Sequence, residues 1–328
     1  MTATRRPPLG VRLLRALRTE PDWAALTAGE LERFRDAENR RRSARLTRLV
    51  SGFPDRRARI AWQQLTLPDR HLRVRVYRPA SPAGEPLPLI VHVHGGGFVG
   101  TAVQCDWISS HVAASLPAVV VSVEHRLISP RVPLAAAVDD GWDVLRCVVG
   151  DAAQWGVDPR RVAVFGESAG GAVAAMAAIR ARDAGLPLRG QVLVNPCTDL
   201  TPAALDYPSM TEHADSPMLT VAQMRLFVRL AVPDGSDPQA VSPLRAGDLS
   251  GLAPALVVVP LVDPVADQGR AYAGRLREAG TPAQVCEHPG APHAFLSMPG
   301  LVPQARDARA RITTFLRQQL AVQPALSE

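Results

Sequence analysis

Val162-Ala-Val-Phe-Gly-Glu-Ser-Ala-Gly-Gly171 is the stretch on which the reading of this chain turns. An apolar run at 162–165 enters Gly166-Glu167-Ser168-Ala169-Gly170, and an alanine-rich stretch at helical spacing, 169–184, leaves it. Glycines two before and two after the serine leave room for a very sharp strand-to-helix turn. Such a turn lifts the Ser168 hydroxyl above a sheet and sets it at a helix N-terminus, where developing negative charge is favoured. A serine that only N-caps an ordinary helix shares part of this pattern, so the surrounding elements decide.

Working outward, mostly apolar runs recur at 89–93, 118–123, 162–165, 191–194, 255–261 and 284–286. They lack strict alternation, as strands buried on both faces do. Alanine- and leucine-rich stretches at 134–149, 169–184, 265–279 and 306–320 read as helices between or after them. Strand and helix in alternation mean an α/β domain with a mostly parallel sheet. Upstream, 60–67 and 72–77 alternate apolar and polar residues around Pro68-Asp69, which predicts an antiparallel hairpin followed by a loop at 79–84. Residues 21–50 read as helical, with Leu26, Leu31 and Phe34 at helical spacing. Residues 198–250 break the rhythm with a loose helix at 221–230 and scattered prolines. That is too long for a simple connection, so it reads as an insertion above the sheet, which the N-terminal helices could join.

Composition narrows the function. With 328 residues, 47% hydrophobic against 21% charged, the chain has ample material for a core. All 37 basic residues are arginine; residues 1–78 hold 19 of them against 8 acids, a net of +11, and the rest has a net of −5. The longest apolar runs, such as 255–262 and 118–123, are under ten residues and interrupted, too short for stable membrane insertion. Arg5, Arg6, Arg12, Arg15 and Arg18 are spread along the N-terminus without an apolar stretch behind them, unlike a secretory signal. No acid precedes Glu20, as in a transit peptide, but serine is missing there. Cys105, Cys147, Cys197 and Cys286 are far apart, as expected of reduced thiols in a cytoplasmic protein. Arg40-Arg41-Arg42 follows Glu30, Glu32, Asp36 and Glu38 with few aromatic residues nearby, so it reads as a solvated helix face and not a nucleic-acid site. Val11, Leu13, Leu14 and Leu17, with Arg12, Arg15 and Arg18 beside them, suit either a membrane surface or a neighbouring domain.

A serine hydroxyl needs a base, and the base an orienting acid. Asp263 closes the run at 255–262 and His293 follows the run ending at Cys286, in the order serine, acid, histidine. Asp267 competes for the acid, although a carboxylate in a first helical turn is explained by the helix dipole. His288 competes for the base, but it sits at a strand end before Pro289-Gly290. His94-Gly95-Gly96-Gly97-Phe98 follows the run at 89–93; bare backbone N–H groups of Gly96 and Gly97, with that of Ala169, could hold an oxyanion. His92 and His94 have no acid or cysteine at ligand spacing, so no metal is expected.

Together, HisGlyGlyGlyPhe at 94–98, GlyGluSerAlaGlyGly at 166–171, AspProValAlaAspGlnGly at 263–269 and HisAlaPheLeuSerMet at 293–298 resemble the hormone-sensitive-lipase-like family of α/β-hydrolase esterases. Ala137-Val138-Asp139-Asp140, Ser216–Thr220, Val241–Leu244 and 269–280 extend the likeness over roughly 75–320. The resemblance implies a mostly parallel eight-stranded sheet flanked by helices, in a catalytic domain at 56–328. It further implies a helical cap made by residues 1–55 and the insertion at about 198–250. It assigns Ser168 as nucleophile, Asp263 as acid, His293 as base, and Gly96, Gly97 and Ala169 as oxyanion donors. His94, Gly95, Gly166 and Gly170 then support the motifs. The expected activity is hydrolysis of short- to medium-chain carboxylic esters without cofactor, on a small-molecule substrate, with a homodimer through a sheet edge allowed. Acyl transfer or deacetylation of one metabolite shares the same chemistry. A non-catalytic binder on this scaffold would be expected to lack the histidine. Phe34, Tyr207, Met210, Met218 and Phe227 are expected to line the pocket. Two departures, His125-Arg126-Leu127-Ile128-Ser129-Pro130 and Leu261-Val262, bear on substrate fit and on how dry Asp263 is.

Overall fold

A computed structural model describes residues 6–17, 19–81 and 84–321; Arg5, Arg18 and part of the 79–84 loop lie outside the described residues. Eight strands form one sheet: β1 (Ala58–Thr66), β2 (His71–Pro79), β3 (Leu87–Val93), β4 (Val119–Val123), β5 (Val157–Glu167), β6 (Gly190–Val194), β7 (Ala255–Val262) and β8 (Ala283–Pro292). Their spatial order is β1-β2-β4-β3-β5-β6-β7-β8. β1 pairs antiparallel with β2 and β2 with β4; all other pairs are parallel. This is the α/β-hydrolase sheet.

The helices are α1 (Leu9–Ala16), α2 (Ala28–Ser43), α3 (Arg48–Ser51), α4 (Asp106–Ser115), α5 (Leu134–Gly150), α6 (Ala152–Trp155), α7 (Ala169–Asp183), α8 (Pro208–Glu212), α9 (Val221–Ala231), α10 (Ala266–Glu278) and α11 (Gln304–Leu320). The central strands bury both faces, which is why their sequence does not alternate. Leu89, Val91 and Val93 of β3 join the core on the α5, α7 and α10 side, whereas Ile90 joins the core with Ile108 and Val112 of α4 and Ile312 and Leu316 of α11.

Three departures from expectation have a local physical cause. The helical reading of 21–50 resolves into α2 and α3, broken where Ala44 turns extended; α2 starts at Ala28 because Thr27 and Glu30 form a capping box, with Thr27 N–H donating to Glu30 Oε2 at 2.9 Å. β8 runs six residues past its expected end at Cys286; a register shift after Pro260 lets Val262 pair with Pro292 and carries the strand past His288. α4 had no apolar periodicity to announce it, since Asp106, Ser109 and Ser110 are buried polar residues. Arg75 and Tyr77 hold Asp106 there, at 2.6 and 2.8 Å. Among the described residues, 198–250 holds α8, α9 and short 3-10 turns but no strand.

Candidate active site

The turn between β5 and α7 is as tight as its glycines require. A Cβ at Gly170 would overlap the Val93 carbonyl, and one at Gly166 would overlap the Gly170 carbonyl. Ser168 sits at φ 53°, ψ −119°, a conformation that a side chain rarely adopts. It is held by its own N–H donating to Val194 O at 2.9 Å and by Gly171 and Cys197 N–H groups donating to its carbonyl.

Asp263 and His293 follow directly on β7 and β8, so the parallel sheet brings both to the same edge as Ser168. His293 Nε2 lies 2.8 Å from Ser168 Oγ, and His293 Nδ1 lies 2.8 Å from Asp263 Oδ2. The second Asp263 oxygen accepts from Val265 N–H at 3.0 Å, and the residue is fully buried. Cys197 Sγ stands 3.7 Å from Ser168 Oγ; burial pushes this thiol up to about 12, so it is a neutral neighbour.

The glycine loop lies alongside. Gly96 has φ +95°, and a Cβ there would overlap the Val99 carbonyl; a Cβ at Gly97 would run into the Phe227 ring. Gln104 Nε2 donates to Gly95 O at 3.1 Å, and Ile128 N–H donates to Gly97 O at 2.8 Å. The rings of His94 and His125 stack at 4.2 Å, and burial drives both well toward the neutral form. Over Ser168 and His293 lies a cavity of about 110 Å³, walled by Trp23, Phe34 and Arg42 from the N-terminal segment and by Met218, Met224 and Phe227 from the 198–250 segment.

Residues 90–297 match the family model described as alpha/beta hydrolase fold. The chain belongs to the α/β-hydrolase fold-3, hormone-sensitive-lipase-like family of ester hydrolases. Among the relatives of this hydrolase is a carboxylesterase of Mycobacterium tuberculosis, NlhH, 39% identical over 255 residues, covering 75% of this chain and 78% of the relative. An ethyl acetate hydrolase of Pseudomonas putida is 33% identical over 294 residues, covering 86% and 90%. A solved hyperthermophilic esterase of Pyrobaculum calidifontis superposes with TM-score 0.82 at 31% identity, covering 97% of this hydrolase and 99% of that chain.

In this hydrolase the rivals are occupied elsewhere. Asp267 accepts from Ser209 N–H at 2.9 Å and from Arg270 at 2.8 Å. His288 faces Asp307 at 3.8 Å and packs on Phe295. Of the expected lining, Phe34, Met218 and Phe227 reach the cavity. Tyr207 and Met210 do not: the Tyr207 hydroxyl turns to Asp199 at 3.4 Å, and Met210 is buried in the core. His92 points to Ser122 Oγ at 2.9 Å, and among the described residues no group of three or more His, Cys, Asp or Glu gathers as metal ligands would.

Several residues of the site have contacts that the motifs do not announce. Glu167, fully buried, accepts at 2.9 Å from the hydroxyl of Ser297, in the loop that carries His293. Burial raises its carboxyl to about 7, with the Ser297 hydrogen bond opposing. The departing segment 125–130 proves to brace the glycine loop: Ile128 holds Gly97, while Arg126 donates to the buried Asp140, which also accepts from Arg70 at 2.9 Å. The signal for it in the sequence was its departure from the family pattern. Arg42 donates at 2.9 Å to Gln104 Oε1, tying α2 to the residue that holds Gly95, a contact no sequence spacing announces.

Proposed function

We propose that this hydrolase is a serine carboxylic ester hydrolase in which Ser168 is the nucleophile, His293 the general base and acid, and Asp263 the orienting acid. The observation that carries this reading is the unbroken chain of two 2.8 Å contacts through His293. Asp263 accepts from His293 Nδ1–H, which leaves Nε2 to take the Ser168 proton as Oγ attacks the ester carbonyl. The N–H groups of Gly96, Gly97 and Ala169 receive the oxyanion; their support is the clash that any Cβ would cause at either glycine and the start of α7 at Ala169. His293 then protonates the departing alcohol, leaving an acyl-enzyme. Water, giving its proton to His293, attacks that acyl carbon; the acid leaves and Ser168 recovers its proton. His94, Gly95, Gly166 and Gly170 shape the backbone and take no proton. No cofactor enters any step.

Residues 1–55 and 198–250 act as a cap over a catalytic domain at 56–328, an assignment supported by the cavity walls both segments supply. The 110 Å³ space beside Ser168 suits a short to medium acyl group on a small-molecule ester. Four unpaired thiols suit the reducing cytoplasm, and the outer edge of β8 is where a homodimer would pair. The test is Ser168→Ala with p-nitrophenyl acetate and butyrate. Turnover should fall at least about 10⁴-fold, and a fluorophosphonate probe should label only the wild type. Undiminished turnover by the variant would sink the assignment. A C2 to C16 acyl series should peak at the short end.

A further inference from the structure

The large hydrophobic side chains left most exposed among the described residues all belong to the N-terminal fifth: Leu9, Leu13, Leu17, Leu46, Leu49 and Phe53, between 55% and 86% exposed. They form two rows. Leu9, Leu13 and Leu17 recur every four residues on the outer side of α1 and the residue that follows it, while Val11 enters the core and Leu14 turns inward. Leu46, Leu49 and Phe53 repeat at intervals of three and four across α3 and its flanks. Both rows rest on the same turn after His293: Gly10 abuts the Leu301 side chain, and Gly300 N–H donates to Val50 O at 3.0 Å. Burial has therefore been satisfied on the inner side of each segment, and the outer side carries apolar surface that no described residue covers.

Two further observations say what fits there. Residues 6–17 and 40–53 together hold eight arginines and no acid. Glu38 offsets part of this through Arg41 and Arg42, Asp106 stands 3.9 Å from Arg48, and Arg15 donates to the Asp215 carbonyl, but the excess remains cationic. A second copy meeting this face about a two-fold axis would set arginine against arginine, so self-pairing is disfavoured. A polyanion alone would use the arginines and leave the leucines in water. An anionic lipid surface uses both. Secondly, the rows border a cavity of about 330 Å³ lined by Leu14, Leu46, Val50, Met298 and Met218, which shares Arg42, Gln104, Met218 and Ala294 with the smaller cavity over Ser168. Leu46, 81% exposed, lines this larger space, so the chamber reaches the surface among the leucines.

We propose that the face built by α1 and residues 45–53 seats the protein on an anionic lipid surface, with the larger chamber opening toward the lipid. Seating is peripheral: among the described residues no helix is long and apolar enough to cross a membrane. The chamber's use as an entry for ester substrate rests on the ester-hydrolase reading; the seating does not.

The experiment is co-sedimentation of the full chain with vesicles of phosphatidylcholine alone and of phosphatidylcholine mixed with phosphatidylglycerol, repeated with Ser168→Ala to separate seating from catalysis. Wild type and Ser168→Ala should sediment equally with the anionic vesicles, and added salt should release both. Leu13→Asp combined with Leu17→Asp, and separately Leu49→Asp, should lower the partition coefficient by roughly tenfold or more. Arg12→Gln with Arg45→Gln should weaken binding and flatten its salt dependence. These side chains are exposed and outside the cavities, so turnover of p-nitrophenyl acetate should be unchanged in every such variant. Equal sedimentation with neutral and anionic vesicles, or undiminished binding by the aspartate variants, overturns the proposal. So does dimerisation in analytical ultracentrifugation that Leu13→Asp abolishes while vesicle binding is absent. Vesicle binding without any ester turnover would keep the seating and remove the ester reading.

Discussion

The glycine loop and the β5–α7 turn stand in contrast to the N-terminal helices of the same molecule. In the first region hardly any backbone position has freedom: a methyl group at Gly96, Gly97, Gly166 or Gly170 meets a carbonyl or an aromatic ring. In the second, constraint is confined to the inner side, where a methyl group at Gly10 would meet Leu301 and one at Gly52 would meet Trp107; at Gly29 it meets only the tip of the flexible Arg33 side chain, and on the outer side leucines stand in solvent. The candidate catalytic residues occupy the part of the fold where sterics dictate the residue, and the exposed leucines occupy outer faces where they do not.

The comparison can be broken first at the constrained end. Asp263→Asn keeps the volume but offers His293 Nδ1 an amide, favouring the wrong tautomer. kcat on p-nitrophenyl butyrate should fall about 10⁴-fold with an unchanged circular dichroism spectrum; a loss below tenfold would remove Asp263 from the chain. Gly96→Ala should cost about 10² to 10³ in kcat with little change in KM, because the Val99 carbonyl forces the loop and its N–H away. Normal kcat in that variant would mean that Gly96 donates nothing.

Glu167 tests a subtler form of constraint. Its folded-state carboxyl is raised from 4.5 to about 7, chiefly by burial. The folded protein therefore holds a proton that the unfolded chain has lost, and stability falls as pH rises from 4.5 through 7. Glu167→Gln should be more stable than wild type at pH 8, by an upper limit of about 3 kcal/mol, with the difference gone by pH 4. Urea midpoints across pH read this. The buried histidines pull the other way: burial, then the neighbouring His125 charge, hold His92 near 3, and His94 and His125 are also lowered. Their folded state binds fewer protons, so stability is lost as pH drops below 6.5. Removing Glu167 should leave that acid slope steeper; a shallower one would contradict the burial argument.

The smallest effect belongs to the unconstrained region. Gly29→Ala, the same chemical change as at Gly96, should raise stability by up to about 1 kcal/mol through helix propensity, with kcat untouched. Opposite outcomes for one substitution at two sites would sharpen the contrast; equal harm would erase it.

That contrast also governs what could be read from residue order alone. Ser168, Asp263, His293 and the glycine loop were legible because a strand end followed by a forced backbone shape admits few residue types. The sheet was legible because doubly buried strands leave unbroken apolar runs. The rest depends on contacts between distant residues. β8 reaches Pro292 only because β7 offers a partner after its register shift. α4 hides behind Asp106, whose burial needs Arg75 from β2. Tyr207 was expected in the pocket as a residue of the cap, but Asp199 draws its hydroxyl away. Glu167 meets Ser297 across 130 residues, and Arg42 meets Gln104 across 62.

The turn after His293 has one more consequence, for how the chain is made. α1 is synthesised first, yet Val11 shares its core with Val302, and Gly10 lies against Leu301. A ribosome must therefore deliver Leu301 and Val302 before α1 has a seat. Until then, the leucines and arginines of α1 have no seat, and the larger chamber lacks the Leu14 part of its wall. The Leu14 part of the larger chamber's wall therefore depends on a turn that lies almost three hundred residues further along the chain.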